Sequence, residues 1–262
     1  MIDIQSSPDT RAVPLEKVGI KNLSYPVKVL DKEKGFQMTT ATVDLFVNLP
    51  HDYKGTHMSR FIEIFHRHHE NLGMKQFLIM LEEMRDSLSA ERAFGCMSFP
   101  FFMEKTAPVS GEKSIMSYQC TYKGEVSEAA QDFFVSVSVP VTTVCPCSKA
   151  ISERGAHNQR GIVTVSLENK SLFWIEDVIK VVEDSASCGL YSILKRPDEK
   201  YVTEHAYDNP RFVEDVVREV YIALKDFKQC EKPFSWFSVE CENFESIHNH
   251  NAYAKAEYRG RD

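Results

Sequence analysis

The sequence predicts an α+β fold in which antiparallel sheets carry helices on one face. Three observations support this: short segments with alternating apolar residues, longer segments with apolar residues every three or four positions, and the order of these segments. The order strand–strand–helix–helix–strand–strand occurs about twice along the 262 residues, most clearly in the second half. Strands that follow one another favour antiparallel pairing. A helix with one apolar stripe must bury that stripe against another element, and here the neighbouring strands supply a sheet.

The first half opens with an expected extended arm over residues 1–30, which contain Pro8, Pro14 and Pro26 and little periodicity. We expect regular structure from about Phe36 on. Alternation with a period of two predicts strands, and spacing of three or four predicts helices. The predicted elements are a strand at 39–47, helices at 58–65 and 74–88, and strands at 93–103 and 114–122.

The second half repeats this order. Pro210 is expected to open a helix, because proline suits the first turn, and the polar segment 196–208 is expected to be a loop. We therefore divide the chain into the arm 1–30, a first module 31–125 and a second module 126–262 that carries most of the active site. The predicted elements of the second half are strands at 135–144 and 162–167, helices at 172–182 and 210–227, and strands at 237–241 and 252–258.

Net charge and cysteine content indicate which partners and which cellular compartment to expect. The net charge of −7 disfavours nucleic-acid and anionic-membrane partners, which need a broad basic surface, but it leaves room for a small anionic ligand. The seven cysteines follow a polar, acidic start without an apolar leader, so we expect reduced thiols and a cytoplasmic protein. No segment approaches the roughly 18 apolar residues of a membrane span.

Residues that could bind a metal or take part in catalysis are concentrated in two neighbouring segments. These are Cys145-Pro-Cys147-Ser-Lys149 and Gly155-Ala-His157-Asn-Gln-Arg160. This is not a zinc-finger spacing, because no second Cys/His pair follows at the required interval. A strand that ends before Cys145 and another that starts after His157 would nevertheless bring thiol and imidazole together across a hairpin.

Two further imidazoles, His248 and His250, are two residues apart, so an extended segment would point both the same way. The acidic run at 196–200 could add a carboxylate. Thiolate, imidazole and carboxylate together suit Zn²⁺, and the oxygen ligand also admits Mn²⁺ or Fe²⁺. These residue types together indicate a candidate site for a divalent metal ion.

Ordinary structural explanations exist for each signal. A lone cysteine is usually a small buried side chain, and Cys145 with Cys147 could be a core or redox pair. Cations near the motif can simply be solvated surface, and no glycine-rich phosphate loop is present. The cations in these loops that could neutralise a phosphate chain are Lys149, Arg154, Arg160, Lys195 and Arg196.

The two motifs, together with residues 194–204 and 243–250, resemble the type IB GTP cyclohydrolase I family over nearly the whole chain. The resemblance implies a tunnelling fold with two modules per chain and a homotetramer with active sites at subunit interfaces. It implies hydrolysis of GTP to 7,8-dihydroneopterin triphosphate and formate, the first step of tetrahydrofolate biosynthesis. It also implies one metal ion, commonly manganese, with zinc and iron as further options.

The resemblance also assigns candidate residues. It implies Cys145 as the thiolate ligand, with Cys147 as the alternative, and His157, Glu199 and His248 as the other metal ligands. Cys145, Cys147, His248 and His250 are the candidate catalytic residues. Glu214, in the first turn after Pro210, would hold the purine edge, while the triphosphate would be neutralised by Lys149, Arg160 and Lys195.

Three other functions stay open at this point. The first is a related cyclohydrolase whose pterin product is a cyclic phosphate. The second is a non-catalytic module that binds pterins or purines, which would keep Glu214 and lose metal ligands. The third is a purely structural oligomer, which predicts no stoichiometric metal.

Overall fold

Nine strands and six helices are present in a computed structural model that describes residues 9–51, 53–168, 171–230 and 234–260. Residues 1–8 of the expected arm lie outside the described residues. The strands are β1 (Leu15–Asp31), β2 (Gly35–Leu49), β3 (Arg92–Thr106), β4 (Lys113–Ser127), β5 (Gln131–Val144), β6 (Asn158–Glu168), β7 (Cys188–Gly189), β8 (Trp236–Asn243) and β9 (Ala252–Arg259). The helices are α1 (Met58–His68), α2 (Met74–Ser87), α3 (Pro146–Ile151), α4 (Ile175–Ser185), α5 (Arg196–Asp208) and α6 (Val213–Lys225).

The strands are hydrogen-bonded in the order β1-β2-β3-β4-β5-β6-β8-β9, and β7 pairs with β5. The pairs β1–β2, β2–β3, β5–β7, β6–β8 and β8–β9 are antiparallel, as predicted. Within the described ranges, no helix has the length and apolar content that crossing a membrane requires.

Contacts divide the chain into two compact units, and the first comprises residues 1–100 and 121–135. Its sheet buries one face, because side chains alternate along a strand and every second residue of β2 turns inward. The helices α1 and α2 cover this face. A Cβ atom on Gly95 of β3 would lie 2.8 Å from Phe77 and 3.0 Å from Leu81 of α2, so a larger residue there would require these side chains to shift.

The expectation of an arm before Phe36 is wrong for the described residues from Leu15 on, which form β1. This strand pairs with β2 along its length, but its register shifts between Leu15 and Val18 and again between Ile20 and Leu23. Asn22, in the second shift, has a φ of 58°. These irregularities interrupt the alternation of side chains, which is why the sequence showed no strand periodicity here.

The second unit comprises residues 101–120 and 136–262, and its core lies between the sheet and two amphipathic helices. The apolar stripes of α4 and α6 are buried, as the predicted periodicity required, and α6 contacts β8, β9 and α4. The division into units differs from the single boundary expected after residue 125. Residues 101–120 belong to the second unit, whereas 121–135 belong to the first.

Residues 196–208, expected to be a loop, form the helix α5 instead. Only Asp198 and Ala206 of this helix are buried, so it has no apolar stripe for the sequence to reveal. The Asp198 carboxylate accepts hydrogen bonds from the Lys195 backbone N–H at 2.8 Å and from Ser110 Oγ at 2.6 Å. Burial raises the pKa of Asp198, but hydrogen bonds from Ser110, Lys195 and Val109 outweigh it and hold the pKa below its usual range.

Candidate active site

A cavity of about 320 Å³ in the second unit collects most of the predicted site residues. It is lined by one thiol, three imidazoles, two carboxylates and one guanidinium, together with polar and apolar neighbours. Such a convergence of titratable side chains in one concave site marks it as the candidate active site. The lining residues are Cys145, His157, Gln159, Arg211, Phe212, Val213, Glu214, Asn243, Glu245, His248, His250 and Ala252.

Cys145 is placed by the turn that leaves β5 and enters the short helix α3. It is the N-cap of α3, and its Sγ accepts a hydrogen bond from the Ser148 backbone N–H at 3.4 Å. Pro146 occupies the first turn of the helix, where its fixed φ is already helical. Cys147 is exposed and does not line the cavity. Of the two thiols, Cys145 therefore has the position that a site residue needs.

His157 lies directly opposite Cys145, as the predicted hairpin required. The Cys145 backbone N–H donates to the His157 carbonyl at 3.1 Å, and the His157 N–H donates to Ser148 Oγ at 3.2 Å. The His157 Nδ1 atom is 2.9 Å from Gln159 Oε1 and 4.0 Å from Glu245 Oε2. Main-chain and side-chain contacts together fix the position of this imidazole.

His248 and His250 also reach the cavity, but by a different route from the one expected. They lie in a bend between β8 and β9 rather than in an extended segment. Their rings are stacked, with centroids 5.2 Å apart and planes at 16°. Both side chains are exposed, so this side of the cavity is open to solvent.

The start of α6 supplies the opposite wall. Glu214 lies in the first turn of this helix and lines the cavity. The backbone N–H of Arg211 donates to the carbonyl of Val144 at 3.0 Å, which ties the entry of α6 to the end of β5. The Arg211 Nε atom is buried and has no hydrogen-bond partner within the described part of the chain. Sequence reasoning missed Arg211, although it is a cation in the first turn of the helix predicted over 210–227.

The three cations predicted to neutralise a triphosphate are not among the lining residues. Lys149 Nζ donates to the Tyr207 carbonyl at 2.5 Å and lies 4.3 Å from the centre of that ring. Lys195 is 4.0 Å from a carboxylate oxygen of Glu112, and Arg160 is exposed. Their contact with substrate stays a prediction.

The predicted metal ligands are only partly brought together. Cys145, His157 and His248 line the cavity, but Glu199 is exposed on α5 and is absent from the lining. Among the residues that the structure describes, no three His, Cys, Asp or Glu side chains are gathered closely enough to hold an ion. The thiol, imidazole and carboxylate types around the cavity fit a divalent ion chemically. The side chains of these described residues are not gathered around one point.

Comparison with known proteins identifies the family to which this sequence is similar. Residues 1–254 match the sequence model described as type I GTP cyclohydrolase folE2. The chain is 55% identical over 257 residues to the GTP cyclohydrolase FolE2 of Syntrophus aciditrophicus strain SB, covering 98% of this chain and 99% of that relative. It is 51% identical over 255 residues to the FolE2 of Geobacter sp. strain M21, covering 97% and 94%.

Solved structures confirm the fold class. The uricase from Arthrobacter globiformis superposes with a TM-score of 0.53 at 7% identity, covering 94% of this chain and 93% of that one. A mutant of the urate oxidase from Bacillus sp. TB-90 gives a TM-score of 0.56 at 8% identity, with 94% and 100% covered. At such low identity the likeness concerns the fold alone, which is the predicted tunnelling fold.

Proposed function

Because this chain belongs to the type I GTP cyclohydrolase folE2 family, we propose that it hydrolyses the guanine ring of GTP. The products would be formate and 7,8-dihydroneopterin triphosphate. The observation that carries this proposal is the cavity in which Cys145, His157, His248 and Glu214 converge.

Glu214 would hold the base. Its carboxylate accepts hydrogen bonds from the guanine N1–H and the exocyclic amino group, a pair of donors that adenine does not present at those positions. The exposed first turn of α6 favours a negative charge there. A base held by this edge places its imidazole ring, and with it C8, toward the rest of the cavity.

His250 or His248, whichever does not hold the metal, would move the protons. Water adds across the double bond between N7 and C8 of guanine, and opening of the imidazole ring leaves a formamide. A second water releases formate, and rearrangement of the ribose followed by loss of one water closes the pterin ring. A neutral imidazole carries one lone pair and one N–H, so the histidine that does not bind the metal can accept a proton from water and return one to a ring nitrogen.

The metal-binding part of the proposal assigns Cys145, His157 and His248 as ligands. A divalent ion held there would supply Lewis acidity, which makes water a stronger nucleophile at neutral pH. Glu199, proposed from the family resemblance, and Glu245, which lines the cavity, are the two candidates for an added carboxylate. Mn²⁺, Zn²⁺ and Fe²⁺ all accept such a donor set.

The test is incubation with GTP before and after chelation, with Mn²⁺ or Zn²⁺ restored, while formate and the oxidised fluorescent pterin are followed. We expect restored metal to restore both products. We expect Cys145→Ala to lower the rate by more than about a hundredfold, whereas Cys147→Ala, a matched change at an exposed thiol, keeps most of it.

The outcomes separate the alternatives. Formate without a triphosphate product would indicate the cyclohydrolase that makes a cyclic phosphate. Folded protein that releases no formate with any of these metals would refute the enzyme and favour a binding module. Equal losses in Cys145→Ala and Cys147→Ala would contradict the assignment of the thiolate.

We also propose the homotetramer, the place at the start of tetrahydrofolate synthesis and the cytoplasmic location that the sequence suggested. Six cysteines, namely Cys96, Cys120, Cys145, Cys147, Cys188 and Cys241, are free thiols, which agrees with a reducing compartment. Light scattering of the purified chain gives the subunit number directly.

A further inference from the structure

Gln159 connects the imidazole of His157 to the buried end of β5. Its side chain is buried at 7% exposure. Its Oε1 atom lies 2.9 Å from His157 Nδ1, and its Nε2 donates to Thr143 Oγ1 at 2.8 Å. Thr143 has no exposed surface. Both ends of the carboxamide are therefore engaged, with Oε1 toward the imidazole ring and Nε2 toward Thr143.

In this orientation of the carboxamide, the position of the ring proton of His157 follows from hydrogen-bond chemistry. A carboxamide oxygen only accepts hydrogen bonds, so the contact to Gln159 Oε1 requires a proton on Nδ1. A neutral imidazole carries one ring proton, and its other nitrogen keeps a lone pair. Nε2 of His157 is therefore the nitrogen with the free lone pair.

Glu245 does not replace Gln159 as the hydrogen-bond partner of the ring. Glu245 Oε2 lies 4.0 Å from Nδ1, beyond hydrogen-bond distance. The contacts to Cys145 and Ser148 hold the His157 backbone and leave the ring orientation to its side-chain partner.

We propose that Gln159 is a positioning residue, which holds His157 in the Nδ1-protonated tautomer so that Nε2 binds the metal ion or accepts a proton. The use of Nε2 rests on the proposed function, whereas the tautomer is a property of the metal-free chain. Such outer partners set the orientation and basicity of a histidine ligand, and their loss typically weakens metal binding by about 10- to 100-fold.

The first test needs neither metal nor GTP. Long-range proton–nitrogen correlation spectra of metal-free protein labelled with ¹⁵N-histidine distinguish the two neutral tautomers, and the His157→Asn variant identifies the signal. We expect the pattern of a protonated Nδ1. The pattern of a protonated Nε2 would overturn the inference, and this result needs no variant of Gln159 to fold.

The second test measures the binding of Mn²⁺ alone, from the electron paramagnetic resonance signal of the free ion. Exposed thiols disturb this measurement little. Gln159→Met keeps the volume but removes the acceptor, and we expect affinity to fall about 10- to 100-fold. Gln159→Glu keeps an acceptor toward Nδ1 and should stay within a few-fold of wild type. Gln119→Met, at an exposed glutamine of β4, is the control and should change nothing.

Wild-type affinity and an unchanged tautomer in Gln159→Met would refute the positioning role. A chain that passes both tests but releases no formate from GTP would retain this inference and lose the proposed function.

Discussion

At the scale of single residues, Arg211 illustrates what sequence proximity misses. The cations expected to bind the triphosphate lie in the same loops as the predicted site motifs. Lys149 is instead held by the carbonyl and ring of Tyr207. Arg211 follows Cys145 by more than sixty positions, yet its backbone bond to Val144 brings it to the cavity. Only the tertiary fold reveals this neighbour.

We expect Arg211→Met to raise KM for GTP by about tenfold or more with little change in kcat, because a hydrogen bond from a charged donor contributes about 1.5–3 kcal/mol. The thermal midpoint should stay the same or rise, since the change removes a buried Nε–H that lacks a partner. Steady-state kinetics and thermal unfolding of the same preparation measure both effects.

Arg218→Met is the matched control, because Arg218 is an exposed arginine of α6 outside the cavity lining. A fall in stability for Arg211→Met with an unaltered KM would show that Arg211 is structural and not a substrate contact.

At the scale of elements, the sequence predicted those that bury one continuous face. Strand β2 and helices α4 and α6 carry regular apolar periods and appear where expected. The missed helix α5 is built on a capped turn and one buried carboxylate, Asp198, which leave no period. The pairing of Cys145 with His157 was predictable because a hairpin brings its two ends together. The approach of α6 to β5 depends on long-range packing.

A buried ion pair joins elements of the second unit. Lys105 of β3 lies 2.7 Å from Glu183 of α4, and their side chains are 11% and 14% exposed. Tyr118 of β4 donates to the same carboxylate at 3.0 Å. Burial, together with the charge of Glu183, raises the pKa of Tyr118 above its usual range, so the hydroxyl keeps its proton.

Glu183→Gln should lower the free energy of unfolding by roughly 3 kcal/mol, because it leaves the Lys105 ammonium buried without its counter-charge. Denaturant unfolding at neutral pH measures the change. Asp184→Asn alters the adjacent, exposed residue of the same helix and should cost less than about 0.5 kcal/mol. Similar losses in the two variants would contradict the importance of the pair.

At the scale of the whole molecule, Glu199 is a proposed metal ligand that does not line the cavity. Its side chain is exposed on α5, away from the cavity that holds Cys145. In the proposed homotetramer, an exposed ligand can serve the cavity of a neighbouring copy, because symmetry presents the same surfaces to each interface.

Mixed assemblies test this directly. Cys145→Ala and Glu199→Gln should each be inactive, but co-refolded mixtures should recover about a quarter of the wild-type rate if the two residues act across an interface. The control is a mixture of Cys145→Ala with His157→Ala, which share one cavity. No recovery with Glu199→Gln would place both residues in one chain, and full activity of Glu199→Gln alone would remove it from the site.

The hydrogen bond from the Arg211 backbone to the Val144 carbonyl has a consequence for how the site tolerates mutation. It joins main-chain atoms, so ordinary substitutions at either position leave it in place. Proline at 211 is the exception, because it deletes the N–H. Proline at 211 is therefore the one substitution at these two positions that removes the link. Other exchanges of the side chains at 144 and 211 leave the two walls of the site joined by this hydrogen bond.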